Sequence, residues 1–209
     1  MHIVSPPLLN KLPAILIAAF VASSATMTAA ATPEPLLDAG YNDMYNLAFD
    51  SAHHAFKQAM QDQPQDPIGP VSDAAAYLFS EFDRLHILQS EFFLDSGAAL
   101  RKERSTPDQQ VKREFEADLA EAQKLADAKL KTSPDNQNAL LASILRLGLH
   151  ADYLALIEKR YLASLDEVKQ SRGLAEHLLS VCPTCYDAYL AVGVENYLLS
   201  MKPAPVRWL

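Results

Sequence analysis

The sharpest chemical signal in this 209-residue chain is a pair of cysteines near its C-terminal end, Cys182-Pro183-Thr184-Cys185. A CxxC pair with a proline inside it and a helix behind it can lower the first thiol's pKa and support redox exchange. Thioredoxin-like chemistry sits in a βαβ setting, however, and no strand pattern is legible here. A haem attachment needs His directly after the second Cys, where Tyr186 stands. A structural zinc needs about four ligands; His177 offers a third and no fourth is evident. In an oxidising compartment the same spacing makes a structural disulfide bracing a turn between two helical units. That bond between Cys182 and Cys185 is the expectation, and thiol–disulfide exchange is the alternative.

The other reactive side chains do not converge. Of the six histidines, His53 and His54 are adjacent and point apart on a helix. His86 with Glu91 and His150 with Asp152 lack the spacing of metal ligands on one helical face. Glu114, Asp118 and Glu121 do share a face, at four- and three-residue steps, and could pair for acid–base work. Lys124 continues the same stripe, so a solvated face is the expectation. No G-x-S-x-G, P-loop or glycine-rich turn is present to anchor hydrolase or nucleotide chemistry. The expectation is therefore no catalytic residue, no metal and no cofactor.

Net charge is −8, which leaves no basic footprint for nucleic acid and no polybasic patch for anionic lipid. Met1–Ala31 has the order of an export signal: a weakly positive start, an apolar core over Leu12–Val21, then small residues ending in Ala29-Ala30-Ala31. The apolar run is short for a membrane span, which needs about 20 residues; an uncleaved anchor is the alternative. The signal holds no acid and only Lys11 of the 18 basic residues, so the mature part carries 17 against 26, a net of −9.

Beyond residue 31 the chain reads as helices with firm stops. Leu36–Leu47 and Asp50–Gln61 form a first pair, with Ala52, Phe56 and Ala59 on one face and Pro64 at the end. A second begins near Ser72 and carries Tyr77, Leu78 and Phe82 in a stripe reaching toward Leu94. Asp95-Ser96-Gly97 ends it, and Arg101–Arg104 is an exposed loop. Thr106-Pro107-Asp108-Gln109 restarts a helix with Thr as N-cap, whose buried stripe is Val111, Phe115, Leu119, Ala122, Ala126 and Leu130. Pro134 stops it. A third long helix starts at Asn138 and reaches about Lys159. Ser164-Leu165-Asp166-Glu167 has capping-box form and opens a helix through Val181, and Pro183 is the stop. In the last segment, Tyr186–Leu199, Gly193 falls at the small-residue slot.

Gly40, then Ala52-x₃-Phe56, then Pro64 resembles the tetratricopeptide (TPR) helix–turn–helix pattern. The segment AEHLLSVCPTCYDAYLAVG with PAPVRW is similar to exported bacterial TPR-containing proteins. The proline stops are 70 and 49 residues apart, against about 34 for a standard repeat, so the repeats are stretched. The fold expected is all-α, an α-solenoid of about three and a half TPR-like repeats over residues 32–209. A helix bundle without repeat symmetry is the alternative.

The resemblance implies a non-catalytic scaffold that takes a protein or peptide on a concave face lined by first helices. Relatives that clamp a carboxylate use Lys, Asn and Arg, but the matching positions here are Leu37, Tyr41, Leu190 and Val194, which argues against carboxylate clamping. An apolar groove is the functional reading of such side chains, and their burial by the overlong helices folding across them is the alternative. Leu37, Tyr41, Met44, Tyr45, Leu190, Val194, Tyr197 and Trp208 are the expected partner-binding residues. The unfinished C-terminal face makes self-assembly into a homo-oligomer a further alternative. Periplasmic or secreted localisation, in a bacterial cell envelope, follows from the signal, with no membrane span after cleavage.

Overall fold

The computed structural model describes residues 33–88 and 106–200. They form seven helices, and no strand occurs among them. In chain order these are α1 (Pro33–Tyr45), α2 (Phe49–Asp62), α3 (Ile68–Arg84), α4 (Gln109–Thr132), α5 (Gln137–Asp152), α6 (Tyr161–Val181) and α7 (Ala188–Ser200). A π-helical turn, Tyr153–Ile157, continues α5 without a break. The residues expected at a signal (1–31), those from 89 to 105 and those from 201 onward lie outside the described set.

Two kinds of turn alternate. The first joins α2 to α3, α4 to α5 and α6 to α7. Gln63, Ser133 and Cys182 end their helices with nearly the same backbone, φ −130°, −141° and −140° with ψ 72°, 86° and 82°. Each donates its N–H to the carbonyl four residues back, and the residue three places on donates to it in turn. Pro64, Pro134 and Pro183 follow at once, where a missing N–H and a fixed φ make further helix unfavourable. Two places beyond the proline, Asp66 and Asn136 accept from the N–H of Ile68 and Ala139. Cys185 occupies that slot in the third turn and is bonded to Cys182 instead.

The second kind closes the helices between those turns. Leu47, His86 and Lys159 adopt φ of 60°, 58° and 58°, the left-handed conformation that usually falls to glycine. Ala48 donates to Asp43 O and Leu47 to Met44 O, while Ile87 donates to Phe82 O and His86 to Asp83 O. Both are full Schellman caps. The second of them explains why α3 stops at Arg84 and does not run on toward Leu94. Apolar periodicity continues through Leu85, Ile87 and Leu88, but the backbone has turned left-handed, and Ile87 is buried as the apolar residue closing the cap.

Other helix starts differ from the sequence reading. Helix α3 opens at Ile68, four residues before Ser72, which lies buried inside the helix and donates its hydroxyl to Ile68 O. Asp108, not Thr106, caps α4, because its Oδ1 accepts from both Gln110 N and Val111 N. Helix α6 begins at Tyr161, three residues before Ser164; Ser164 donates its N–H to Arg160 O inside the first turn and is buried. The long α5 is as expected, its length reaching Ile157 through the π turn.

Each helix packs chiefly on its chain neighbours, and α1 also meets α3, α3 meets α5 and α5 meets α7. Small residues recur at these crossings. Gly40 lies against the ring of Phe56, so close that an added Cβ would stand 2.4 Å from its Cε1. Eight residues beyond Pro64 and Pro134 come Ser72 and Ala142, both buried, and the same step beyond Pro183 falls on half-buried Ala191. Gly193 is exposed, and a Cβ added there would meet nothing within 4 Å.

The core divides into clusters between successive helices. Phe82, Phe115, Leu119, Tyr153 and Ile157 join α3, α4 and the π turn, and Phe115 stacks on Tyr153 at 5.2 Å. Leu140, Ile144, Ala175, Leu178 and Ala188 join α5, α6 and α7. Gln137–Ile157 has the length and apolarity to cross a membrane, but Leu140, Ile144, Leu147 and Ala151 are buried within the fold. Its hydrophobicity is accounted for by the core of this fold.

Candidate functional site

Three pairs of polar residues, each at an i,i+4 step, converge from three helices: His53 and Lys57 on α2, Asp73 and Tyr77 on α3, Glu114 and Asp118 on α4. The four-residue step stacks each pair on one face. Asp73 is fully buried, where an ionised carboxylate is costly unless it is paired. His53 Nδ1 donates to Asp73 Oδ1 at 2.5 Å, and Lys57 Nζ lies 3.9 Å from Asp73 Oδ2. Lys57 also donates to Tyr77 Oη at 3.3 Å and sits 5.6 Å from the centre of that ring. The His53 and Tyr77 rings are 4.0 Å apart, so the cation, both rings and the carboxylate make one network.

Asp118 closes it from α4. Its carboxyl is within hydrogen-bonding reach of Asp73. Burial first, then the charge of Asp73 and the hydrogen bond to it, push its pKa up to about 8, against the opposing pull of Lys57. Asp73 Oδ2 and Asp118 Oδ2 are both buried and neither accepts a hydrogen bond from an N–H or hydroxyl. One proton held between the two carboxyls would account for both facts, as in other close carboxyl pairs that cannot ionise together. Burial also raises the pKa of Tyr77; it works against the charge on Lys57, yet Tyr77 and Asp73 keep that pKa above its ordinary value.

A cleft of about 450 Å³ opens beside this network, lined by Lys57, Tyr77, Asp108, Gln110, Val111 and Glu114. Its α4 wall is pinned by Glu81, a buried acid on α3. Arg84 Nε donates to Glu81 Oε2 and its Nη2 to Oε1, both at 2.7 Å. Glu81 Oε1 also accepts the Asp108 N–H, and Arg84 donates onward to Thr106 O.

The expectation of a solvated Glu114–Asp118–Glu121 face is therefore corrected at Asp118. Glu114 is exposed at the cleft, and Glu121 pairs with Lys124 at 2.9 Å. Only Asp118 turns inward, because α3 presents Asp73 opposite it. His53 and His54 do point apart, one half-buried in the network and the other exposed. The signal that would have found this site is the three parallel i,i+4 steps. What was missing is which helices meet.

The expected partner-binding residues divide. Leu37, Tyr41 and Met44 are half-buried against Ala52, Phe56 and Ala76. Tyr41 meets Phe56 edge-on at 5.2 Å and its hydroxyl is 2.7 Å from Ser72 Oγ. These three are thus occupied by the α1–α2–α3 core, the reason being that α3 is buried nearly all round from Gly69 to Ala76. Tyr45 is 89% exposed, Leu190 70% and Val194 41%. The Tyr197 side chain and Trp208 lie outside the described set. Two further exposed aromatics, Tyr186 and Tyr189, which the sequence reading did not place among the partner-binding residues, precede Leu190.

Cys182 and Cys185 form the expected disulfide and pack half-buried against the Leu140–Ala188 cluster. No group of three or more His, Cys, Asp or Glu side chains placed to hold a metal occurs among the described residues. No protein-family model, no curated protein and no solved structure matches this chain.

Proposed function

We propose that the chain is an exported, non-catalytic scaffold built as a TPR-like α-solenoid of three and a half stretched hairpins, which binds a protein or peptide partner through apolar side chains of its first helices. The observation that carries the binding part is the run Tyr186, Tyr189, Leu190 and Val194, whose large apolar side chains stand in solvent at and along α7. A concentration of apolar area of this kind marks interaction surfaces more often than it decorates a monomer. Support for the solenoid comes from the alternation of Schellman and proline turns, and from α1, α3, α5 and α7 packing in series. In such an array each unit contacts only its neighbours. The Cys182–Cys185 bond supports an oxidising compartment, where disulfides persist. The groove so proposed is narrower than the sequence reading implies, since Leu37, Tyr41 and Met44 are drawn into the core.

Proximity labelling in the native envelope tests the reading. Wild-type chain should label a reproducible small set of partners, and Tyr189→Glu with Leu190→Glu should lose that set while folding normally by circular dichroism. An unchanged set in the double variant refutes the α7 surface.

A further inference from the structure

The network under the cleft does something that a binding scaffold does not require. Asp73 and Asp118 sit on different helices, α3 and α4, and these belong to one interface packed around Phe82, Phe115 and Leu119. Each carboxyl keeps one buried oxygen that accepts no hydrogen bond, and a proton between them would satisfy both. Without it, two like charges face each other where water is largely excluded, and repulsion there is several times stronger than at the surface.

We propose that Asp73 and Asp118 form a proton-operated clasp: a proton shared by the two carboxyls holds α4 closed on α3, and its loss in alkaline medium releases the N-terminal half of α4.

The surroundings limit what can replace that proton. From α2, His53 is engaged with Asp73 Oδ1, and Lys57 is 3.9 Å from Asp73 Oδ2 but already donates to Tyr77. Tyr77, on α3 itself, adds no positive charge, and Glu114 on α4 adds a negative one that acts on Asp118. Helices α1 and α5 meet the adjoining turn of α3 through Tyr41 on Ser72 and through Ala142 and Leu145 near Val71. Lys57 is therefore the cation at hand, and its side chain is half exposed. It also lines the cleft with Tyr77 and Glu114, which provides the route by which the proton exchanges with solvent. The moving part is identified by what remains fixed. Glu81 and Arg84 tie down Thr106 and Asp108 at the start of α4, so the stretch released is the one beyond that anchor, around Asp118.

Amide hydrogen exchange of the full chain, read at pH 6.5 and pH 9.0 and corrected for intrinsic rates, tests the clasp. Protection across residues 111–122 of wild type should fall at least tenfold relative to α6 on going to pH 9.0. Asp118→Asn keeps the shape, donates an N–H to Asp73 and cannot ionise, so its protection should stay level. Equal changes in both proteins, or none in wild type, overturn the proposal. Should that variant not fold, carboxyl-carbon NMR of wild-type Asp118 decides the matter by itself: a midpoint in the alkaline range supports the clasp and one in the ordinary carboxylate range ends it.

Discussion

Replacing Gly40 by Ala should weaken the protein although Ala is the better helix former. The added Cβ would stand 2.4, 2.7 and 2.8 Å from three ring atoms of Phe56, about 1 Å inside ordinary contact. Phe56 is fully buried, against Ala52 and Ala76 and with the Tyr41 ring edge-on to it. The ring has nowhere to turn, so α1 must lift from α2. Overpacking of this kind costs about 1–3 kcal/mol, while Gly→Ala within a helix returns about 1 kcal/mol. The net expected is a loss of up to about 2 kcal/mol, or a fall in Tm of up to about 8 °C. Gly148 and Gly173 supply the control, since a Cβ at either meets nothing within 4 Å. Gly148→Ala and Gly173→Ala should each gain up to about 1 kcal/mol. Urea unfolding followed by circular dichroism gives all three on one scale. A Gly40→Ala variant as stable as the two controls would refute the close α1–α2 crossing. Adding Phe56→Leu to Gly40→Ala should give a coupling of about 0.5–3 kcal/mol, and strict additivity would also count against it.

Four other outcomes are expected. Glu81→Ala strands Arg84 and the Asp108 N–H and should cost on the order of 3 kcal/mol in denaturant unfolding; a loss below about 1 kcal/mol would mean the anchor is dispensable. Asp118 has a folded pKa raised to about 8, so its stabilisation is complete below the unfolded value near 3.9 and is lost as pH rises toward 8. The gap sets a ceiling of about 6 kcal/mol at 1.36 kcal/mol per unit, cut by its partial exposure to on the order of 2 kcal/mol; stability curves from pH 4.5 to 8.5 that run parallel in wild type and Asp118→Asn would disprove it. The Cys182–Cys185 loop is too short to reach the ~3 kcal/mol of a 15-residue loop, so Cys182→Ser with Cys185→Ser should cost about 1 kcal/mol, and a loss above 3 would point to a larger structural role. Leu47→Gly relieves a left-handed φ of 60° at a half-exposed position and should gain about 0.5 kcal/mol in thermal unfolding; a loss would show that the Leu47 side chain contributes more than its strain costs.

Much of the architecture was legible because it is written in local terms. Pro64, Pro134 and Pro183 stop helices by covalent geometry, and Phe56 and Phe115 mark buried faces by helical period alone. The cysteine pair was legible for the same reason, since three residues of separation and a turn bring the two sulfurs together. Where the reading went astray, a local signal met a stronger local competitor: His86 in a Schellman cap ended α3 against its own apolar stripe, and Asp108 outbid Thr106 because its oxygen reaches two amides.

What sequence by itself determined about this protein is therefore the all-helical chain, its proline turns and its disulfide, each decided within a few residues. Tertiary packing alone decided the rest. It turned Asp118 inward by bringing Asp73 against it from a helix more than forty residues away in the chain, and it spent Leu37, Tyr41 and Met44 on a core because α3 runs through the middle of its neighbours. A side chain's period says which face it shares, but only the partner helix says whether that face meets water, a ring or another charge.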